Sequence, residues 1–184
     1  MPYVPEKRGE WTVLDSTVQF SNPWITVRED RVIQPDGKEG AFGVAEMIPG
    51  VSVLPVDDDG IVYLVRVYRY TINRHSLEAL AGGIEDGEDP PEAARRELRE
   101  EAGIDAAELI DLGMVDQLTE VVISPDRLYL ARGLSLREPD REETEEIKRV
   151  AVPLHQAVEW AYDGTITHAA SIVLILKAAR HLNA

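Results

Sequence analysis

Cysteine is absent from this chain of 184 residues. That excludes a disulfide framework and any site built on zinc thiolates, and it fits a reducing compartment, so a cytoplasmic protein is expected. Aromatic residues are scarce, and the 19 lysines and arginines are outnumbered by 34 acids, for a net charge of −15. Nucleic acid and anionic membranes demand a basic surface, so neither is expected as a partner. Long hydrophobic runs are missing too. The longest apolar stretch, near Ala169 to Leu176, is too short to span a bilayer, and the N-terminus carries no apolar segment of a secretory signal. The four histidines, His75, His155, His168 and His181, lack ligand or triad spacing and read as surface or packing residues.

What is present is an apolar fraction of 44%, enough for the core of one ordinary domain with a small N-terminal extension. Residues 11–47 read as strands, Trp11 to Phe20, Trp24 to Ile33 and Gly40 to Met47, with a turn at Pro35-Asp36-Gly37-Lys38. Val51 to Val56 and Ile61 to Val67 flank the acidic turn Asp57 to Gly60 and suggest a hairpin. Further strands are expected near Leu112 to Leu118, Arg127 to Ala131 and Lys148 to Val152, and residues 138–146 read as an acidic loop. Pro153 opens a helix that stops at Asp163-Gly164, and Thr167 caps a last helix with Ile172, Val173 and Leu176 inward. By itself this mixture says only α/β or α+β.

Residues 82–104 are different in kind. Asp89, Pro90 and Glu92 supply an N-cap carboxylate, a proline at the first helical position and a glutamate three residues past the cap. Gly103 suits a left-handed C-terminal cap. Between these ends, Ala94, Leu98 and Ala102 form a narrow apolar stripe. Glu97, Glu100 and Glu101, at i, i+3 and i+4, share the neighbouring face. Like charges at that spacing repel, and the arrangement makes sense once something positive sits among them. Hard cations such as Mg2+ or Mn2+ take carboxylate oxygens and keep water and substrate phosphates as further ligands. The bland alternative, a surface helix laced with salt bridges through Arg95, Arg96 and Arg99, would suffice for an isolated charge run. It does not account for the whole pattern Gly82, Glu88, Arg96-Glu97-Leu98, Glu100-Glu101 and Gly103-Ile104, whose chance occurrence in a chain this rich in glutamate is about one in a million.

This pattern resembles the signature of the Nudix hydrolases, which cleave nucleoside diphosphates linked to another group. The resemblance implies a mixed sheet sandwiched between helices over residues 48–184, preceded by an antiparallel β-subdomain over 1–47. It implies a metal site made by Glu97, Glu100, Glu101 and the carbonyl of Ala81, with Arg96 holding the glutamates in place, Glu88 tying the loop to the helix and Gly82 giving the backbone room to come close to the ion. Upstream, Leu64-Val-Arg66-Val-Tyr68-Arg69-Tyr70 and Leu77-Glu78-Ala79-Leu80-Ala81-Gly82 look like the ADP-ribose and nucleoside-diphosphate-sugar branch. There Arg69 and Glu78, and with less support Arg66, would contact substrate. That branch uses its N-terminal strands to form a homodimer, in which Trp24 would stack on the nucleobase or else pack in the core. The acidic run Glu142-Glu143-Thr144-Glu145-Glu146-Ile147 resembles the branch's catalytic loop. It makes Glu143 the general base, with Glu120 its rival, Glu145 a further ligand and Glu100 acting in catalysis through a second ion. One departure stands out. The stretch Gly113 to Pro125 lacks the Ser-Pro-Gly-like segment common in ADP-ribose enzymes. Another nucleotide sugar, FAD, an oxidised nucleoside triphosphate or a non-catalytic nucleotide sensor therefore stays open beside ADP-ribose.

Overall fold

In a computed structural model that describes residues 4–137 and 147–183, the chain divides into two units, Met1–Ile48 with Asp116–Ser124, and Pro49–Val115 with Pro125–Ala184. The first unit is a five-stranded sheet in the order β1 (Glu6–Arg8), β2 (Trp11–Ser21), β3 (Ile25–Ile33), β4 (Glu39–Met47) and β10 (Val122–Ile123). Its turns are chemical in origin. Asn22 Oδ1 accepts the N–H groups of Trp24 and Ile25, both at 2.9 Å, closing an Asx turn before β3. Gly37, at φ 83, supplies the left-handed residue of the next turn. Asp30 is buried on β3, where Ser16 Oγ donates to it at 2.6 Å and Arg28 Nε at 3.1 Å.

The second unit contains β5 (Gly50–Pro55), β6 (Ile61–Arg69), β7 (Arg74–Glu78), β8 (Leu80–Gly83), α1 (Pro90–Ala102), β9 (Ile104–Asp116), β11 (Pro125–Leu136), β12 (Lys148–Pro153), α2 (Leu154–Asp163) and α3 (Ala169–Leu182). Four strands form the central sheet in the order β8-β5-β11-β9. It is mixed, since β5 runs parallel to β11 and antiparallel to β8. A three-stranded sheet, β12-β6-β7, completes the unit. Strand alternation gives β5 two different faces. Val51 and Val53 pack with Ala93, Ala94, Leu98 and Ala102 of α1. Leu54 and Val56 pack with Ala157 of α2 and with Leu174, Ile175 and Ala178 of α3. The expected sandwich of helices about a mixed sheet is therefore what forms. Among the described residues no helix is long and apolar enough to cross a membrane.

Four local expectations need correction. β5 and β6 do not make a hairpin: they lie in different sheets, joined by the single bridge Val56↔Val62. β5 is buried on both faces with both edges occupied by β8 and β11, so its apolar run marks a central strand. The strand placed near Leu112 starts much earlier, at Ile104, directly after the helix cap at Gly103. Asp89 stands at the N-cap of α1 without a side-chain cap bond; its carbonyl takes the N–H groups of Glu92 and Ala93 instead. Finally, the N-cap position of α3 is His168 rather than Thr167, without a side-chain cap bond, and its most buried apolar side chains are Leu174 and Ile175, while Ile172 and Val173 pack against the same core partly covered and Leu176 is partly exposed. Asp126 on β11, in register with Gly50, was not anticipated. It is buried, accepts the Ser52 hydroxyl at 2.7 Å through one oxygen, and has no partner for Oδ1 among the described residues. Burial pushes its carboxyl above the ordinary range, the Ser52 hydrogen bond and the field of His168 opposing this.

Candidate functional site

The site is built on the end of β8 and the inner face of α1. Proline at the start and Gly103 in the left-handed conformation at the end, φ 62, bracket the helix, so its register against the sheet is fixed by Ala94, Leu98 and Ala102. That register drives Glu97, one position before Leu98, into the interior. Glu97 is only 7% exposed, and its carboxylate lies on the bare Cα of Gly82. A Cβ at residue 82 would meet Glu97 Oε1 at 1.8 Å. Glycine is therefore required by contact, and its φ is not in the left-handed region.

Arg96 organises the acids. Its Nε and Nη2 donate to the two oxygens of Glu88 at 3.0 and 3.1 Å, Nη1 to Glu97 Oε1 at 2.6 Å and Glu100 Oε2 at 3.1 Å, and Nη2 to the Gly83 carbonyl at 2.8 Å. Glu88 in turn accepts the Glu85 N–H at 3.0 Å, tying the loop to the helix. Hydrogen bonds from Arg96 hold Glu88 below the usual carboxylate range, and the same network raises Arg96 itself. Glu97 goes the other way. Burial raises it, Arg96 opposes, and the nearby charges of Glu100 and Glu88 raise it further. A buried carboxylate held above its ordinary range among like charges marks a candidate functional site.

Glu101 Oε2 accepts the N–H of Ala81 at 3.2 Å. β8 is an edge strand, and in an antiparallel ladder the N–H and C=O of one residue point to the same side. The Ala81 carbonyl therefore faces outward from the sheet, on the side where Glu101 stands. Among the described residues no three acidic or histidine side chains converge as a ready metal cage, because Glu97 and Glu100 turn to the Arg96 guanidinium. The donor chemistry nonetheless suits a hard divalent cation. The set is all oxygen, and one carboxylate is seated on a glycine.

Arg69 and Glu78, both expected at the substrate, pair with each other. Arg69 Nε lies 3.2 Å from both oxygens of Glu78 and Nη2 lies 2.6 Å from Oε2. Burial pushes Glu78 up, but the Arg69 hydrogen bonds, the field of His168 and the Ser76 hydroxyl outweigh it and leave the carboxyl below the ordinary range. Arg66 is exposed on β6, in register with Lys148 and Leu77. Trp24 and Glu120 belong to the first unit. Trp24 is 65% exposed, so it is no core residue. Glu120 lines a groove of about 450 Å³ with Trp11, Phe42 and Val121. Glu143 and Glu145 fall outside the described residues. Sequence reasoning missed His168, whose Nδ1 lies 2.8 Å from Ser171 Oγ and 3.8 Å from Glu78 Oε2, and it missed Ser171 itself. Neither sits in a spacing that carries a signal.

Comparison with known proteins matches two families along the chain. A family described as NUDIX domain matches residues 47–172, and one described as nucleoside diphosphate sugar hydrolase N-terminal domain matches residues 11–45. The ADP-ribose pyrophosphatase of Bacillus subtilis is 32% identical over 149 residues, covering 76% of this chain and 77% of that one. The ADP-ribose pyrophosphatase of Mycobacterium tuberculosis is 32% identical over 138 residues, covering 73% and 64%. Among solved structures, an ADP compounds hydrolase superposes with a TM-score of 0.82 at 23% identity over 97% of both chains, a likeness of fold.

Proposed function

The chain belongs to the Nudix family, and from that premise we propose that it hydrolyses the pyrophosphate bond of a nucleoside diphosphate linked to another moiety. ADP-ribose or another nucleotide sugar is the substrate, and a nucleoside monophosphate and a sugar phosphate are the products. The observation that carries the reading is the Glu97 carboxylate, buried, raised by burial and seated on Gly82 beside the outward backbone of Ala81. The names of the pyrophosphatase relatives support the substrate class.

Glu97 and Glu101, with the Ala81 carbonyl, would hold Mg2+ or Mn2+, and Glu100 would join a second ion. When bound, the metal neutralises the pyrophosphate and lowers the pKa of water. Arg96 would hold the glutamates in place rather than touch substrate, and through Glu88 and the Gly83 carbonyl it ties the loop to the helix. Glu143 is the proposed base and Glu145 a further ligand, with Glu120 the rival base. Arg69, whose planar fork suits phosphate oxygens, is the proposed phosphate contact. Arg66 is a further substrate contact, and Glu78 fixes the orientation of Arg69. Trp24 is proposed to stack on the nucleobase. A homodimer through the N-terminal strands is proposed from the likeness of residues 11–45 to the nucleoside diphosphate sugar hydrolase N-terminal domain, and the absence of cysteine supports a cytoplasmic setting.

The test is phosphate release, after a coupling phosphatase, from ADP-ribose, UDP-glucose, GDP-mannose, FAD, diadenosine polyphosphates and oxidised dGTP, each with and without Mg2+. A dominant Mg2+-dependent signal on a nucleotide sugar is expected. Nucleotide binding without turnover of any of them would overturn the reading.

A further inference from the structure

The run Glu78 to Gly82 carries two elements of the proposed site, the Glu78 carboxylate and the Ala81 carbonyl, and it is held in an unusual way. Two of its backbone N–H groups are taken by side chains of different helices. Ala79 N–H donates to Ser171 Oγ of α3 at 2.8 Å, and Ala81 N–H donates to Glu101 Oε2 of α1 at 3.2 Å. The two anchor points are two residues apart on an extended chain, about 6.6 Å at the ordinary rise of a strand. The run is thus pinned from α3 at one point and from α1 at the next, with the outward Ala81 carbonyl at the second.

Ser171 is fully buried in the first turn of α3, on a stretch that is otherwise alanine and aliphatic. Its oxygen receives the Ala79 proton, so its own proton needs an acceptor. His168 Nδ1, at 2.8 Å, is that acceptor when the imidazole carries its proton on Nε2. The same nitrogen lies 3.8 Å from Glu78 Oε2, and one residue earlier Thr167 Oγ1 accepts from Arg74 Nη2 of β7 at 3.1 Å. Three contacts therefore join the start of α3 to the chain that runs from β7 into β8. A hydroxyl that merely satisfied a buried N–H would serve stability alone. This one fixes the segment on which a proposed ligand sits, and a displacement of a few tenths of an ångström at Ala79 passes along a short extended chain to Ala81.

We propose that Ser171 is a positioning residue of the metal site, its hydroxyl setting the Glu78–Gly82 run against α1, with His168 orienting that hydroxyl. The proposal rests on the metal-site reading given under Proposed function. Its test is the dissociation constant of Mn2+ measured by calorimetry on the full chain, for the native protein, Ser171→Ala and Val62→Ala. Val62 is equally buried, in the same apolar cluster as α3, and takes no part in the site, so its truncation controls for lost stability. Ser171→Ala should weaken Mn2+ binding at least about fivefold and lower kcat more than it raises KM for substrate, whereas Val62→Ala should melt earlier yet bind Mn2+ as the native chain does. A Ser171→Ala protein that binds Mn2+ within about twofold of native overturns the positioning role. A native chain that binds no Mn2+ overturns the metal-site reading itself, and with it this proposal.

Discussion

Gly82→Ala should abolish turnover and leave the fold standing. The added Cβ would lie 1.8 Å from Glu97 Oε1 and 2.2 Å from its Cδ, distances no pair of atoms tolerates. Which partner yields is decided by stiffness. Residue 82 sits in a β-ladder with Val51 and cannot retreat without breaking the sheet. The Glu97 carboxylate is the far end of a flexible side chain and can swing away. The backbone of Gly82 is not in the left-handed region, so alanine adds no backbone strain. The expected result is a melting temperature within a few degrees of native and a fall in kcat of at least about a hundredfold, near 2.7 kcal/mol of barrier. Steady-state kinetics at saturating Mg2+ beside a circular-dichroism melt would measure both. Turnover within about tenfold of native would mean that the seat of Glu97 on Gly82 is immaterial to the chemistry.

Glu97→Gln should separate stability from catalysis by moving them in opposite directions. Burial places the folded Glu97 carboxyl above its ordinary range, Arg96 opposing and Glu100 and Glu88 reinforcing. A group raised on folding stabilises the fold fully below its unfolded value, about 4.3 for glutamate. That contribution is lost as pH rises through the folded value. At neutral pH the metal-free fold therefore carries an unfavourable buried charge, which glutamine lacks while it still accepts from Arg96 Nη1. Without metal at pH 7 the variant should melt as late as native or later, and the difference should vanish below about pH 4. With Mg2+ the order should invert, because only the native chain gains from a bound cation. Turnover should fall at least about a hundredfold. A thermal-shift series from pH 4 to 8, with and without Mg2+, reads this directly. Equal stabilisation of both chains by Mg2+ would remove Glu97 from the ligand set.

The helix that carries these residues was legible because its ends are written in punctuation. Pro90 and Gly103 can each occupy few backbone conformations, and Ala94, Leu98 and Ala102 leave one face to bury. The strands of the first unit were legible from their β-branched and aromatic residues, with Asp36-Gly37 marking one of the turns. Pairing was not legible where a run is apolar throughout. Nothing in Val51 to Val56 tells that its partners are β8 and β11 rather than β6, since a strand buried on both faces has no polar side to fix its neighbours. On α3, Ile172 and Val173 do pack against the core, but the more deeply buried Leu174 and Ile175 were missed, because residues 172–176 are apolar in succession and periodicity cannot rank them.

Within the site, the motif glutamates could be named from spacing because a helix converts spacing into proximity. Arg69 and Glu78 were named too, but their mutual bond could not be, since it depends on the β6–β7 register. Ser171, Ser52 and Asp126 escaped altogether, and His168 was read only as a surface or packing residue. Ser171 bonds to Ala79 and Ser52 to Asp126 across long stretches of chain, and contacts of that kind appear only when the sheet and helices are assembled.

The most direct measurement of the central claim is phosphorus NMR of a nucleotide-sugar substrate incubated with the protein, first with Mg2+ and then with excess chelator. With Mg2+, the two coupled diphosphate resonances should be replaced by two monophosphate resonances, one from the nucleoside monophosphate and one from the sugar phosphate, and chelator should stop the conversion. An unchanged spectrum, release of inorganic phosphate, or conversion that continues in chelator would contradict the account.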